Sequence, residues 1–116
     1  MYSELSFPEI ARNYLQPNLS PAYDVLLYVA NWPEKRISHW NVLLKARAIE
    51  NQAYVLSVNR VGKDENGLVY SGESKIINAL GESLELNKNE ENVLISFLQK
   101  DKLNEVRKLL PFLSDC

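Results

Sequence analysis

The stretch "YDVLLYVANWPEKRISHW", residues 23–40, decides how this chain is read. Val25 to Ala30 form an apolar run without a polar interruption. That pattern marks a central strand covered on both faces. The run stops at Asn31-Trp32-Pro33. A residue before proline avoids helical dihedrals, so Trp32 is expected to lie outside any helix. A helix then starts between Glu34 and Ser38 and ends near Gln52. Ile37, Trp40, Leu44 and Ala48 mark one of its faces, with Leu43 and Ile49 beside them. "AYVLSVN", 53–59, reads as a second buried strand. Strand, helix, strand is the nucleus of an α/β layered domain.

On the N-terminal side, Phe7, Ile10, Ala11, Tyr14 and Leu15 recur at helical spacing, which predicts a short amphipathic helix with Pro8 in its first turn. "QPNLSPA", 16–22, is a loop by composition, and residues 1–6 begin as though mid-strand. On the C-terminal side, "GKDENG", 62–67, is turn chemistry. "LVY", "KIIN", "SLEL" and "NVLISFL" then read as a strand meander, separated by "SGES", "ALGE" and "NKNEE". Asp101 is expected to cap a last helix whose Leu103, Val106 and Leu110 share a face and which Pro111 stops. Few helices are available to cover these strands, so the chain is expected to be part of a larger domain.

At 116 residues there is room for one domain. A net charge of −2 gives no general pull toward nucleic acid or an anionic membrane surface. No apolar run approaches the roughly 20 residues of a membrane helix, and the N-terminus lacks a basic-then-apolar signal pattern. Cys116 is the only cysteine, which excludes an intrachain disulfide and fits a reducing cytoplasm. Cys116 and the single His39 do not make a nucleophile and base, because a terminal residue lacks the fixed geometry that such a pair needs. The glycines of "GKDENG" and "SGES" have no phosphate-cradle spacing, and no Cys, His or acidic pattern suits a metal.

"ELSFPEIAR", "YVANWP", "HWNVLLKARAIENQAYVLSVNRVG" and "YSGESKIINALGE" together resemble the C-terminal half of the nitrilase, or carbon–nitrogen hydrolase, superfamily, nearest its omega-amidase branch. The resemblance runs from Glu4 to about Ser114. It implies an α/β fold, the C-terminal half of a four-layer α-β-β-α sandwich with a mixed sheet flanked by helices, and residues 1–116 as a partial domain. It also implies hydrolysis of amides or nitriles by a Glu–Lys–Cys triad, without a cofactor. In that chemistry an activated thiolate attacks, a carboxylate moves protons, and nearby donors stabilise the oxyanion.

The triad Glu and Lys of the family lie upstream of the matched region. The family Cys stands six residues before a proline, here Pro8, so its position falls on Tyr2, or on Met1 after one insertion. Neither side chain can act as a thiolate. The chain by itself is therefore expected to be inactive, with a small amide substrate only when an N-terminal half is present. The alternative is a non-catalytic, degenerate interaction module.

From the residues alone, Asn31 reads as a helix cap and Trp32 as a core aromatic. The resemblance instead places both at the border of the acyl pocket, Asn31 hydrogen-bonding the polar end of a substrate and Trp32 forming a flat apolar wall. Ser6 stands where many relatives that take carboxylate-bearing substrates carry an Arg, and a Ser cannot clamp a carboxylate with two parallel bonds. That departure argues against dicarboxylic-acid monoamides such as 2-oxoglutaramate. The resemblance implies supporting roles for Glu4, Arg47 and Glu50, and packing or helix-register roles for His39 and Trp40. Half of a sandwich would expose an apolar face built from Val25, Leu27, Val29 and Val55, so self-association is expected. The family's dimers through this half point the same way.

Overall fold

The computed structural model describes residues 4–115. Met1, Tyr2 and Cys116 lie outside them. Strand β1 (Val25–Ala30) is followed by a 3₁₀ turn (Glu34–Arg36) and helix α1 (Ile37–Asn51). Strand β2 (Tyr54–Asn59) then runs parallel to β1, with Ala30 opposite Asn59 at their shared end. Strands β3 (Val61–Lys63) and β4 (Val69–Ser71) pair as a small hairpin. Strand β5 (Lys75–Ile77) adds antiparallel to β2 and β6 (Ser83–Glu85) antiparallel to β5, giving a mixed sheet of order β1-β2-β5-β6. Helix α2 (Lys100–Leu109) closes the order. No helix among the described residues is long and apolar enough to cross a membrane.

The helix expected after Pro33 forms at the expected place, and its apolar stripe builds the core. Trp40, Leu44 and Ala48 are fully buried beneath one sheet face, with Leu5, Tyr28, Trp32, Val55 and Ile77. Each large side chain so buried contributes roughly 1.5–3 kcal/mol. Helix α1 ends where Gln52 takes a left-handed conformation at φ 47°. Glycine usually fills that place. Here the Gln52 side chain is itself buried and donates to the Leu110 carbonyl, while its own carbonyl accepts from Arg107 Nε at 2.9 Å. These partners hold the bend that glycine would otherwise allow.

Several expectations fail for identifiable reasons. The helix over residues 7–15 is only a 3₁₀ turn (Pro8–Ala11), with Ile10 and Tyr14 exposed. Asn13 leaves the helical path because a side chain captures it. Its N–H donates to Asn51 Oδ1 and its Nδ2 to the Asn51 carbonyl, both at 2.9 Å. Asp101 sits inside the first turn of α2, and Gln99 occupies the N-cap. Residues 92–98 form no strand, since no neighbouring strand among the described residues completes a ladder. His39 is exposed and does not pack, whereas Trp40 is wholly buried.

One face of the sheet is covered by α1, and the other only in part, where Tyr54 Oη meets the Gln99 backbone at 3.1 Å. In register, Val25, Leu27 and Val29 lie beside Tyr54, Leu56 and Val58, and Leu56 lies beside Ile76 and then Leu84. This is the face away from α1. Leu27 is 61% exposed, Val29 75% and Val58 53%. Both-sided burial of β1 therefore does not hold among residues 4–115. Val55 was expected on this face, but strand alternation turns it to the helix side, where it is fully buried.

Candidate functional site

Because β1 and β2 are parallel, their carboxyl ends sit side by side, and both end on asparagine: Asn31 just beyond β1, and Asn59 as the last residue of β2. Crevices outside the carboxyl ends of parallel strands are where α/β sheets hold ligands. Asn31 is exposed at this exit, and Trp32 is 4% exposed in the core. The Trp32 ring lies 6.2 Å from that of Trp40, tilted by 45°, and the Arg36 guanidinium stands 4.6 Å over it. Neither the Glu34–Arg36 turn nor α1 has a side-chain cap hydrogen bond, so Asn31 does not cap either of them.

The exit is held from beside it. Asn59 Oδ1 accepts from the Trp32 N–H at 2.7 Å, and its Nδ2 donates to the Trp32 carbonyl at 3.0 Å and the Gly72 carbonyl at 2.9 Å. The orientation of the amide follows from its neighbours, one donor on one side and two acceptors on the other. Asn59 N–H donates to Ser74 Oγ at 2.8 Å. Between these partners the chain makes two left-handed residues in succession, Gly72 at φ 77° and Glu73 at φ 57°. The Glu73 carbonyl accepts from Trp40 Nε1 at 3.1 Å. The loop 71–74 thus ties down both tryptophans, one through Asn59 and one directly.

A second support lies under the N-terminal segment. A 3₁₀ turn (Glu4–Ser6) buries Leu5 in the same core as Trp32. Arg47, 4% exposed, donates from Nη2 to the Leu5 carbonyl at 2.8 Å and pairs through Nη1 with Glu50 at 2.6 Å. Ser6, next to Leu5, is half-buried. The core therefore joins the neighbours of Ser6 and Asn31, Leu5 and Trp32, in one cluster.

Charge gathers on the outer side of the exit. Lys88 reaches Glu34 at 2.6 Å, and the hydrogen bond and charge of Glu34 raise the lysine above its ordinary pKa. A solvent groove opens between Glu34, Lys35 and residues 64–69; Asn31 and Trp32 are not in its lining. Among the described residues no three His, Cys, Asp or Glu side chains gather as a metal would require.

The sequence reading missed Asn59, Gly72, Glu73 and Ser74. A signal for Asn59 was present: both apolar strands, "VLLYVA" and "YVLSVN", run into an asparagine at the same end.

Residues 4–108 match the carbon-nitrogen hydrolase family. The chain belongs to that family. This carbon-nitrogen hydrolase chain is 56% identical over 79 residues to Omega-amidase YafV of Yersinia enterocolitica, across 68% of the chain and 28% of the relative. It is 39% identical over 112 residues to 2-oxoglutaramate amidase of Paenarthrobacter nicotinovorans, across 97% of the chain and 36% of the relative. The crystal structure of a CN-hydrolase superfamily protein from Xanthomonas campestris, with an arsenic adduct in its active site, matches with a TM-score of 0.92 at 39% identity. That match covers 97% of this chain and 43% of the other. The carbon-nitrogen hydrolase chain thus spans less than half the length of these relatives. Family and fold class are those the sequence motifs implied.

Proposed function

We propose that this chain forms the substrate-facing wall of an amide hydrolase. The observation that carries the reading is the shared exit of β1 and β2, where Asn31 is exposed directly before an immobilised Trp32. Asn31 can offer both a carbonyl and an NH₂ to the polar end of an amide, while Trp32 forms the rigid floor beneath it. The omega-amidase and 2-oxoglutaramate amidase names of the relatives support an amide as substrate.

The reaction would proceed by attack of a thiolate on the amide carbon, loss of ammonia to give a thioester, and attack of water to release the acid. Proton transfer and oxyanion stabilisation accompany both halves. Within these 116 residues the position matching the family thiol falls on Tyr2 or Met1. The chain alone therefore turns nothing over, and chemistry requires sequence that carries the triad. Ser6, lacking a guanidinium fork, favours amides that carry no carboxylate.

Ammonia release tests this reading. The 116-residue chain and the complete polypeptide encoded at its locus are each given 2-oxoglutaramate and a neutral primary amide. The expected result is no turnover by the shorter species and preferential turnover of the neutral amide by the longer one. Enzymatic turnover by the 116-residue chain, free of longer protein, would end the proposal.

A second reading has its own observation, the uncovered apolar sheet face around Leu27, Val29 and Val58. On that reading the chain associates with a copy of itself or with a complementary half through this face and catalyses nothing.

A further inference from the structure

We infer that Asn59 is the positioning residue of the substrate wall, setting where Asn31 and Trp32 stand without touching substrate itself. The inference rests on the reading of that wall given above. The parallel ladder of β1 and β2 ends with Ala30 opposite Asn59. Past that point β2 has ended and the backbone runs on into β3, so the backbone of Trp32 has left the ladder that served the residues before it. Trp32 and Asn59 are only 4% and 6% exposed, which shuts out water as a general substitute. One carboxamide fills the gap by behaving as one more peptide group. It accepts from Trp32 N–H, donates to Trp32 C=O, and spends its remaining N–H on Gly72 C=O.

No other side chain supplies this set at this length. Aspartate cannot donate, serine falls short of two opposed partners, and alanine leaves a buried N–H and two buried carbonyls without the bonds Asn59 gives them. Asn31 precedes Trp32 directly, and no side-chain cap steadies the 3₁₀ turn that follows. The direction in which Asn31 faces is therefore set by the fixed peptide of Trp32, and that peptide is fixed by Asn59.

The test uses the complete polypeptide encoded at the locus, with the variants Asn59→Ala, Asn59→Ser and Asn31→Ala. Amide hydrogen exchange is followed at Trp32, with Leu44 in α1 as the reference, alongside kcat and KM for the hydrolysed amide. In Asn59→Ala the Trp32 amide should exchange at least about tenfold faster than wild type while Leu44 keeps its protection. The folded enzyme should lose on the order of ten- to a hundredfold in kcat/KM, as displaced binding groups do. A residue that only stabilises would lower the melting temperature and leave kcat and KM of the folded fraction unchanged. That result would overturn the inference, as would undiminished protection at Trp32. If Asn59→Ala does not fold, Asn59→Ser carries the same comparison. Asn31→Ala separates the two levels: unchanged kcat/KM there refutes the wall itself, whereas a loss there with an unaffected Asn59 variant refutes only the positioning role.

Discussion

Arg47 Nη2 donates to the carbonyl oxygen of Leu5 at 2.8 Å, from a side chain that is 5% exposed. The same guanidinium pairs with Glu50, whose side chain is 45% exposed. These two partners differ in what their loss costs. Arg47→Ala removes a charge-assisted bond to a buried carbonyl along with packed methylenes, and should cost about 2–3 kcal/mol. Glu50→Gln leaves a neutral acceptor at the half-exposed end of the pair and should cost less, about 1 kcal/mol. Urea denaturation of the 116-residue chain measures both. Equal costs would show that Arg47 acts through Glu50 and not through Leu5.

Asp24 should make the fold acid-sensitive. Burial pushes its carboxyl up, but hydrogen bonds from Lys100 at 2.6 Å and Arg107 at 2.7 Å, with their charges, outweigh burial and hold it below the usual range. A carboxyl whose folded-state pKa is depressed adds stability above its unfolded value and loses it as pH falls through the folded value. Stability should therefore decline below about pH 4, the unfolded value for Asp. Asp24→Asn should flatten part of that decline while lowering stability near neutrality. Urea midpoints at about pH 7 and about pH 3 make the comparison. A wild-type decline preserved in full by the variant would remove Asp24 from the account.

Two glycines with nearly the same backbone should respond differently to alanine. Gly67 has φ +79° and open space around an added Cβ, so Gly67→Ala pays only the left-handed penalty of about 1–2 kcal/mol. Gly72 has φ +77°, and an added Cβ would run into Val61 Cγ1. Gly72→Ala should cost at least about 1 kcal/mol more, from overpacking on top of strain. Thermal unfolding ranks the pair, and a reversed order would mean that Val61 moves aside freely.

The exposed sheet face should give a measurable association. Leu27→Lys or Val29→Lys puts a charge where Leu27 is 61% and Val29 75% exposed. Each variant should sediment as a smaller species than wild type at equal concentration, with little loss of helix signal. A wild-type chain that is already a stable monomer at micromolar concentration would count against association through this face.

How far the sequence could be read differs from element to element. Helix α1 and its flanking strands were legible because Trp40, Leu44 and Ala48 repeat on one face and Val25 to Ala30 run unbroken. Periodicity reports which faces are apolar but not which residues cover them, so the open face of β1 was not legible. Residues 7–15 misled because helical spacing could not register that Asn51 takes Asn13 out of the helical path. Residues 92–98 carry strand chemistry, but a ladder depends on a partner that local composition cannot supply. In the candidate site, Asn31 and Trp32 could be named from their motif. Asn59 left only a faint signal, an asparagine closing the second apolar strand as Asn31 follows the first, and the register that places it beside Ala30 is visible only in the fold.

The parallel pairing of β1 with β2 also bears on the order of events in folding. The two strands and the helix between them span only residues 25–59, whereas α2 is secured by long-range bonds such as Arg107 to Asp24. Short-range closures carry a smaller entropic penalty and tend to enter the rate-limiting barrier first. Val55→Ala should accordingly slow refolding, and Leu103→Ala should chiefly hasten unfolding, as a chevron plot would register. The wall around Asn31 would then take shape early, before the C-terminal helix docks.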